Sequence, residues 1–111
     1  DTIKGREEIK ENQDAINWLA KSLDDKGLVN HILTKDYKQK LIDLFEGRWA
    51  NKYNSQSEAD LAFCRILANN HAPMHQIDRI FRKTKLMRYK WDEKRGKQTY
   101  GEMTLEKALS E

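Results

Sequence analysis

Apolar side chains recur at helical spacing in several segments between Ile9 and Leu109, and no run alternates for the length of a convincing strand. That spacing marks helices that bury one face. The expected fold is therefore all-α, a compact bundle of about five helices with a long basic loop before the last. A chain of 111 residues suits a single domain, 1–111, whose core needs no covalent staple.

The stripe Ile9, Ile16, Leu19, Ala20, Leu23 predicts a first helix over 6–24, closed by Asp24-Asp25-Lys26-Gly27 with Gly27 as a left-handed cap. Leu28 to Leu33 reads equally as turn or short helix. Thr34 is expected to cap a second helix running to about Glu46, with Tyr37, Leu41, Leu44 and Phe45 inward and Gly47 as its stop. Trp49 to Asn54 reads as a loop. Ser55-Gln56-Ser57-Glu58 has the pattern of a capping box, and Ser57 with Asp60 offers the same box shifted along the chain. Either starts a third helix ending near Ala68, with Leu61, Cys64, Leu67 and Ala68 inward. Pro73 fits the first turn of a fourth helix carrying Met74, Ile77, Ile80 and Phe81. Leu86 to Gly101 is the long loop, with a small hairpin around Arg95-Gly96 as the alternative, and Thr104 is expected to cap the last helix. The predicted core is Ile16, Leu19, Leu41, Leu44, Phe45, Leu61, Leu67, Ile77, Ile80 and Phe81.

Charge is unevenly placed. Arg79 to Lys97 holds nine basic residues against Asp92 and Glu93, a local +7 in a chain of net +3, which leaves −4 elsewhere. A basic block on an otherwise mildly acidic body points to an anionic partner. Tyr89, Trp91 and Tyr100 interleave with Arg88, Lys90, Lys94, Arg95 and Lys97, the mixture that nucleic-acid binders use for phosphates and bases. Trp91 can alternatively plug the core beneath a solvated loop. The single cysteine, Cys64, excludes an internal disulfide and favours an intracellular, cytoplasmic setting. No apolar run is long enough to span a bilayer, so no membrane is expected. A chain beginning at Asp1 is expected to be a fragment of a larger protein.

Cys64, His71 and His75 form C-x6-H-x3-H, which matches no strong zinc spacing and has Pro73 between its histidines. No tightly bound metal or cofactor is expected. Gly96-Lys97-Gln98-Thr99 ends like a phosphate-binding loop, but Trp91 stands where the upstream glycine is required. The start of the third helix could offer N–H groups to phosphate, although Glu58 and Asp60 oppose an anion there. No nucleophile-base pair and no acidic cluster suited to two metal ions is legible, so no catalytic residue is assigned and the domain by itself is not expected to be an enzyme.

Four stretches, Ser55–Cys64, Gln76–Arg82, Leu86–Asp92 and Tyr100–Thr104, followed by Ala108-Leu109, share an order and spacing. Together they resemble the helix-bundle domain beside the catalytic core in primase-polymerases of plasmids, phages and integrated elements. The resemblance covers about Trp49 to Ser110. It departs at Phe63, where the pattern has Leu, and at Lys83-Thr84-Lys85, which lacks the pattern's glycine, so a different turn is expected before Leu86. It implies an accessory domain of a DNA primase-polymerase that engages single-stranded DNA template and the initiating nucleoside triphosphate, such as ATP with Mg, beside a catalytic domain of the same chain. On that implication Arg82, Arg88, Lys90, Trp91, Lys94, Arg95 and Tyr100 would line the binding surface. The rival expectation is a protein-interaction module that docks a catalytic or helicase domain.

Overall fold

The computed structural model of the chain describes residues 24–110. The expected first helix, with Ile16 and Leu19, lies outside the described residues. Five α-helices follow: α1 (Asp25–Ile32), α2 (Lys38–Phe45), α3 (Gln56–Asn69), α4 (Met74–Phe81) and α5 (Tyr100–Leu109). Between α4 and α5 lie a 3-10 turn, η1 (Tyr89–Asp92), and a hairpin of β1 (Lys94–Arg95) and β2 (Gln98–Thr99). The fold is all-α apart from this hairpin.

The longest helix, α3, is the centre of the bundle and packs against α5, α4 and α2, while α1 leans on α4. Leu41, Leu44, Leu67, Ile77, Ile80 and Phe81 are buried as their spacing predicts, and Phe45 and Leu61 are half-buried against them. Phe63 is fully buried as well. It joins a chain of rings that crosses the domain. Phe45 meets Phe63 edge-on at 6.3 Å, Phe63 meets Phe81 at 6.1 Å, Phe81 stacks on Trp91 at 3.6 Å, and Trp91 meets the edge of Tyr100 at 6.0 Å. Aromatic contacts of these kinds add to the burial of large apolar surfaces, and here they tie α2, α3, α4, η1 and α5 into one core.

Several local expectations are corrected. Asp24 to Gly27 starts a helix instead of ending one: the Asp24 carboxylate accepts from the Gly27 N–H at 2.8 Å as the N-cap of α1. Thr34 does not cap α2. Its hydroxyl donates to the His31 carbonyl at 2.7 Å, closing α1, and α2 begins later behind Tyr37 without a side-chain cap. Pro73 stands just before α4, and Met74 is exposed while Gln76 is buried. Thr104 lies buried within α5, donating to the Tyr100 carbonyl at 3.0 Å. The true cap is Thr99, in a reciprocal box: its hydroxyl accepts from the Glu102 N–H at 3.0 Å, and Glu102 accepts from the Thr99 N–H at 2.8 Å.

Ser55 does cap α3, accepting from the Glu58 N–H at 3.2 Å, while the Glu58 carboxylate takes the Asn54 N–H. Ser57 is not the cap. Ser55→Ala should therefore lower stability by about 0.5–2 kcal/mol, the usual value of an N-cap oxygen, measured by urea denaturation. A matching loss in Ser57→Ala with none in Ser55→Ala would reject this assignment.

Candidate nucleic-acid interface

The stretch expected to be a long basic loop has a defined path. After α4, Thr84 is buried: its hydroxyl donates to the Phe81 carbonyl at 2.8 Å and accepts from the Leu86 N–H at 3.1 Å. A serine-like hydrogen bond thus shapes the turn in which the family pattern has glycine. The chain then enters η1, and the hairpin follows with Lys94 opposite Thr99 and Arg95 opposite Gln98. Gly96-Lys97 is its two-residue loop. Only Gly96 takes a positive φ, +79°, as the first central position of a type II′ turn requires.

Trp91 pins this path. It is 1% exposed, and its indole N–H donates to Asp78 at 2.8 Å. Its other neighbour is the first turn of α5: a Cβ built on Gly101 would lie 2.6 Å from the indole, so only glycine lets the helix approach this closely. Trp91 therefore plugs the core, and its ring offers no face to a base.

The basic residues divide into two groups. The first is engaged within the domain. Arg79 forks onto Asp25 at 2.7 and 2.8 Å, and Lys85 reaches Glu46 at 3.2 Å. Arg82 meets Asp78 at 2.9 Å and Asp92 at 2.7 and 3.0 Å; Asp92, then Asp78, raises its pKa. Arg88 is held most firmly. Both its terminal nitrogens donate to Asp60, at 2.9 and 3.1 Å, and one also reaches the Leu86 carbonyl. Asp60 is 0% exposed and also accepts the Tyr100 hydroxyl at 2.6 Å. Burial opposes the Arg88 charge, but the hydrogen bonds and charge of Asp60 outweigh it and raise the guanidinium's pKa. Burial, followed by the bond to Asp60, raises that of the Tyr100 phenol.

The second group faces outward. Lys90 sits on this half-buried triad, its ammonium 3.0 Å from the Ser57 hydroxyl and 4.5 Å from the Tyr100 ring centroid, a cation–π distance. Lys94 and Lys97 are exposed and make no ion pair among the described residues. Among the described residues Arg95 pairs only with exposed Glu93, at 3.2 Å, a contact of small worth in water. The structure thus brings Arg88, Lys90 and Tyr100 together through Asp60 and Ser57, places Lys94 and Arg95 on the adjoining hairpin, and ties Arg82 to its own carboxylates. The sequence offers Asp60 and Ser57 as helix-cap candidates and as part of the family motif but does not pair them with Arg88 and Lys90, because those partners lie 28 and 33 positions away. Tyr89, one of the aromatics that interleave with the basic residues, is the most exposed large apolar side chain among the described residues, at 94%.

Cys64 is buried, and burial, followed by the charges of Asp60 and Asp78, pushes its thiol pKa up. His71 and His75 are exposed. His71 takes a left-handed φ of 71°, and the Ala72 N–H reaches back to the Leu67 carbonyl at 3.1 Å, so this histidine occupies the C-terminal cap geometry of α3. Among the described residues no group of three or more His, Cys, Asp or Glu side chains could hold a metal ion, and no helix is long and apolar enough to cross a membrane.

A family model of the NrS-1 polymerase HBD domain, a helix-bundle domain, matches residues 56–111, about half of the chain. A curated relative, the DNA primase-polymerase of Nitratiruptor phage NrS-1, is 38% identical over 74 residues. That match covers 61% of this chain and 10% of the relative, so the chain corresponds to a small part of a much longer protein. No solved structure matches the chain.

Proposed function

This chain belongs to the family of the NrS-1 polymerase HBD domain, and on that premise we propose that it is the accessory domain of a DNA primase-polymerase, engaging single-stranded template and the initiating nucleoside triphosphate during primer synthesis. The observation that carries this reading is the pairing of Lys90 with the Asp60–Arg88–Tyr100 triad. A fixed ammonium beside a hydroxyl, over a guanidinium whose charge Asp60 balances, offers a preorganised contact for an anion, and Lys94, Arg95 and Lys97 extend its field along the hairpin. Phosphates of a strand, or of ATP with Mg, are anions that such a group of cations attracts. Chemistry at the primer end belongs on this reading to a catalytic domain of the same protein.

The structure also decides which variants test the reading. Arg88→Ala would leave the buried Asp60 carboxylate without its countercharge, and Arg82→Ala would take the countercharge from Asp78 and Asp92. The lysines can be removed without such a cost. The chain and its Lys90→Ala, Lys94→Ala and Lys97→Ala variants should be titrated with a labelled single-stranded oligonucleotide, with and without ATP and Mg, at two salt concentrations. Each lost phosphate contact is expected to weaken binding and to reduce the slope of affinity against salt by about one. Wild-type affinity in all three variants, together with lost binding to the catalytic domain, would favour a docking role in place of this one.

A further inference from the structure

Tyr100 is the aromatic side chain that the motif offers to a base, but its ring is already in use. Its hydroxyl is bound to Asp60, Lys90 sits over its face, and the Trp91 indole meets it edge to face. Tyr89 is in the opposite situation. Its backbone cannot retreat, because Arg88 before it is locked to buried Asp60 and Trp91 after it is locked in the core. A phenol ring held almost fully in water contributes nothing to the packing of the domain. The residues beside it are basic, Arg88 and Lys90, and Lys94, Arg95 and Lys97 follow within one short segment. A surface for docking another protein gathers contiguous apolar area; an exposed ring flanked along the chain by basic residues is the arrangement that single-strand binders use, with charge for the backbone and a π-face for the base.

We propose that Tyr89 is the stacking platform of the interface, receiving an unpaired base of the strand whose phosphates lie on Lys90, Lys94 and Lys97. This rests on the function argued above and adds to it what makes the site select single strands. Phosphate contacts are available on any nucleic acid, whereas bases within a duplex are already stacked on one another and present no free face to the ring.

The test is a titration of the chain, Tyr89→Ala and Tyr89→Phe with a labelled single strand and with a hairpin duplex of the same composition, again at two salt concentrations. Tyr89→Ala is expected to weaken single-strand binding about 5- to 150-fold, which corresponds to the ~1–3 kcal/mol of one stacked base. Tyr89→Phe should retain wild-type affinity, because the ring and not the hydroxyl does the stacking. Duplex binding and the salt slope should not change in either variant. A Tyr89→Ala variant that binds the single strand as wild type does, or that loses single strand and duplex equally, overturns the assignment while leaving the broader function standing. A wild-type chain without affinity for single strands removes both. Circular dichroism confirms that the variants keep their helices, and loss confined to binding of the catalytic domain would assign Tyr89 to protein docking instead.

Discussion

Trp91→Ala is expected to destabilise the domain by about 3–5 kcal/mol, the range for removing a large aromatic from a packed core. The expectation rests on three contacts that no smaller side chain makes together. The indole stacks on Phe81 at 3.6 Å, donates to Asp78 at 2.8 Å, and fills the space that α5 leaves by having glycine at position 101. Truncation opens a cavity between α4 and α5 and unpins the segment that carries the basic residues. A folded domain of this size is stable by only about 5–15 kcal/mol, so the variant should sit near the edge of folding at 37 °C. Urea denaturation followed by circular dichroism measures the loss. Trp91→Phe should fall between wild type and Trp91→Ala, since it restores the stack without the hydrogen bond. A change under about 1 kcal/mol in Trp91→Ala would mean that the ring does not hold the core together.

Asp60→Ala is expected to be nearly as damaging, about 3–5 kcal/mol, because removing one member of a buried ion pair leaves the other uncompensated. Arg88 loses both terminal contacts, and the Tyr100 hydroxyl loses its acceptor. Arg88 is partly exposed, with 26% of its side chain in water, so it can turn outward and the loss should lie toward the lower end. The double variant Asp60→Leu with Arg88→Met separates charge burial from packing. Apolar groups of similar size can replace a buried pair at little cost, so the double variant should recover much of the stability lost in Asp60→Ala. It should not recover nucleic-acid binding, since the anchor beneath Lys90 is gone. A double variant no more stable than Asp60→Ala would show that the pair is not what destabilised the single variant.

How far the sequence carried depends on whether a feature is local. The helix stripes were legible because a buried face repeats within the element itself, and Leu41, Leu44, Ile77 and Ile80 declare it. Ser55 was legible for the same reason, its partner being three residues away. The signal for Thr99 was also present, since Thr99 and Glu102 have capping-box spacing. It was hidden by a run of charge that reads as loop, and Thr104 stood closer to the apolar residues that follow. Asp60 shows the limit. The quoted motifs contain Asp60, Arg88 and Tyr100, but no periodicity says that they meet, because the contacts span tens of residues. The basic block misleads in the same way. Counting charges along the chain gives +7 for the segment, yet Asp25, Glu46 and Asp60 come from other elements to face Arg79, Lys85 and Arg88, and Asp78, one position before the segment, joins Asp92 on Arg82. The field that remains belongs to a few lysines and to Arg95.

The burial of Cys64 has a practical consequence for spectroscopy. The chain's single thiol is enclosed in the core and its deprotonation is suppressed by its surroundings, and maleimides react with accessible thiolates. To such reagents the folded chain behaves as if it contained no cysteine. A cysteine introduced at Lys107, exposed on α5 and outside the proposed interface, would then accept a fluorophore or spin label selectively, without prior removal of Cys64. Distances from that position to a labelled oligonucleotide would map the path of a bound strand with every proposed contact in place.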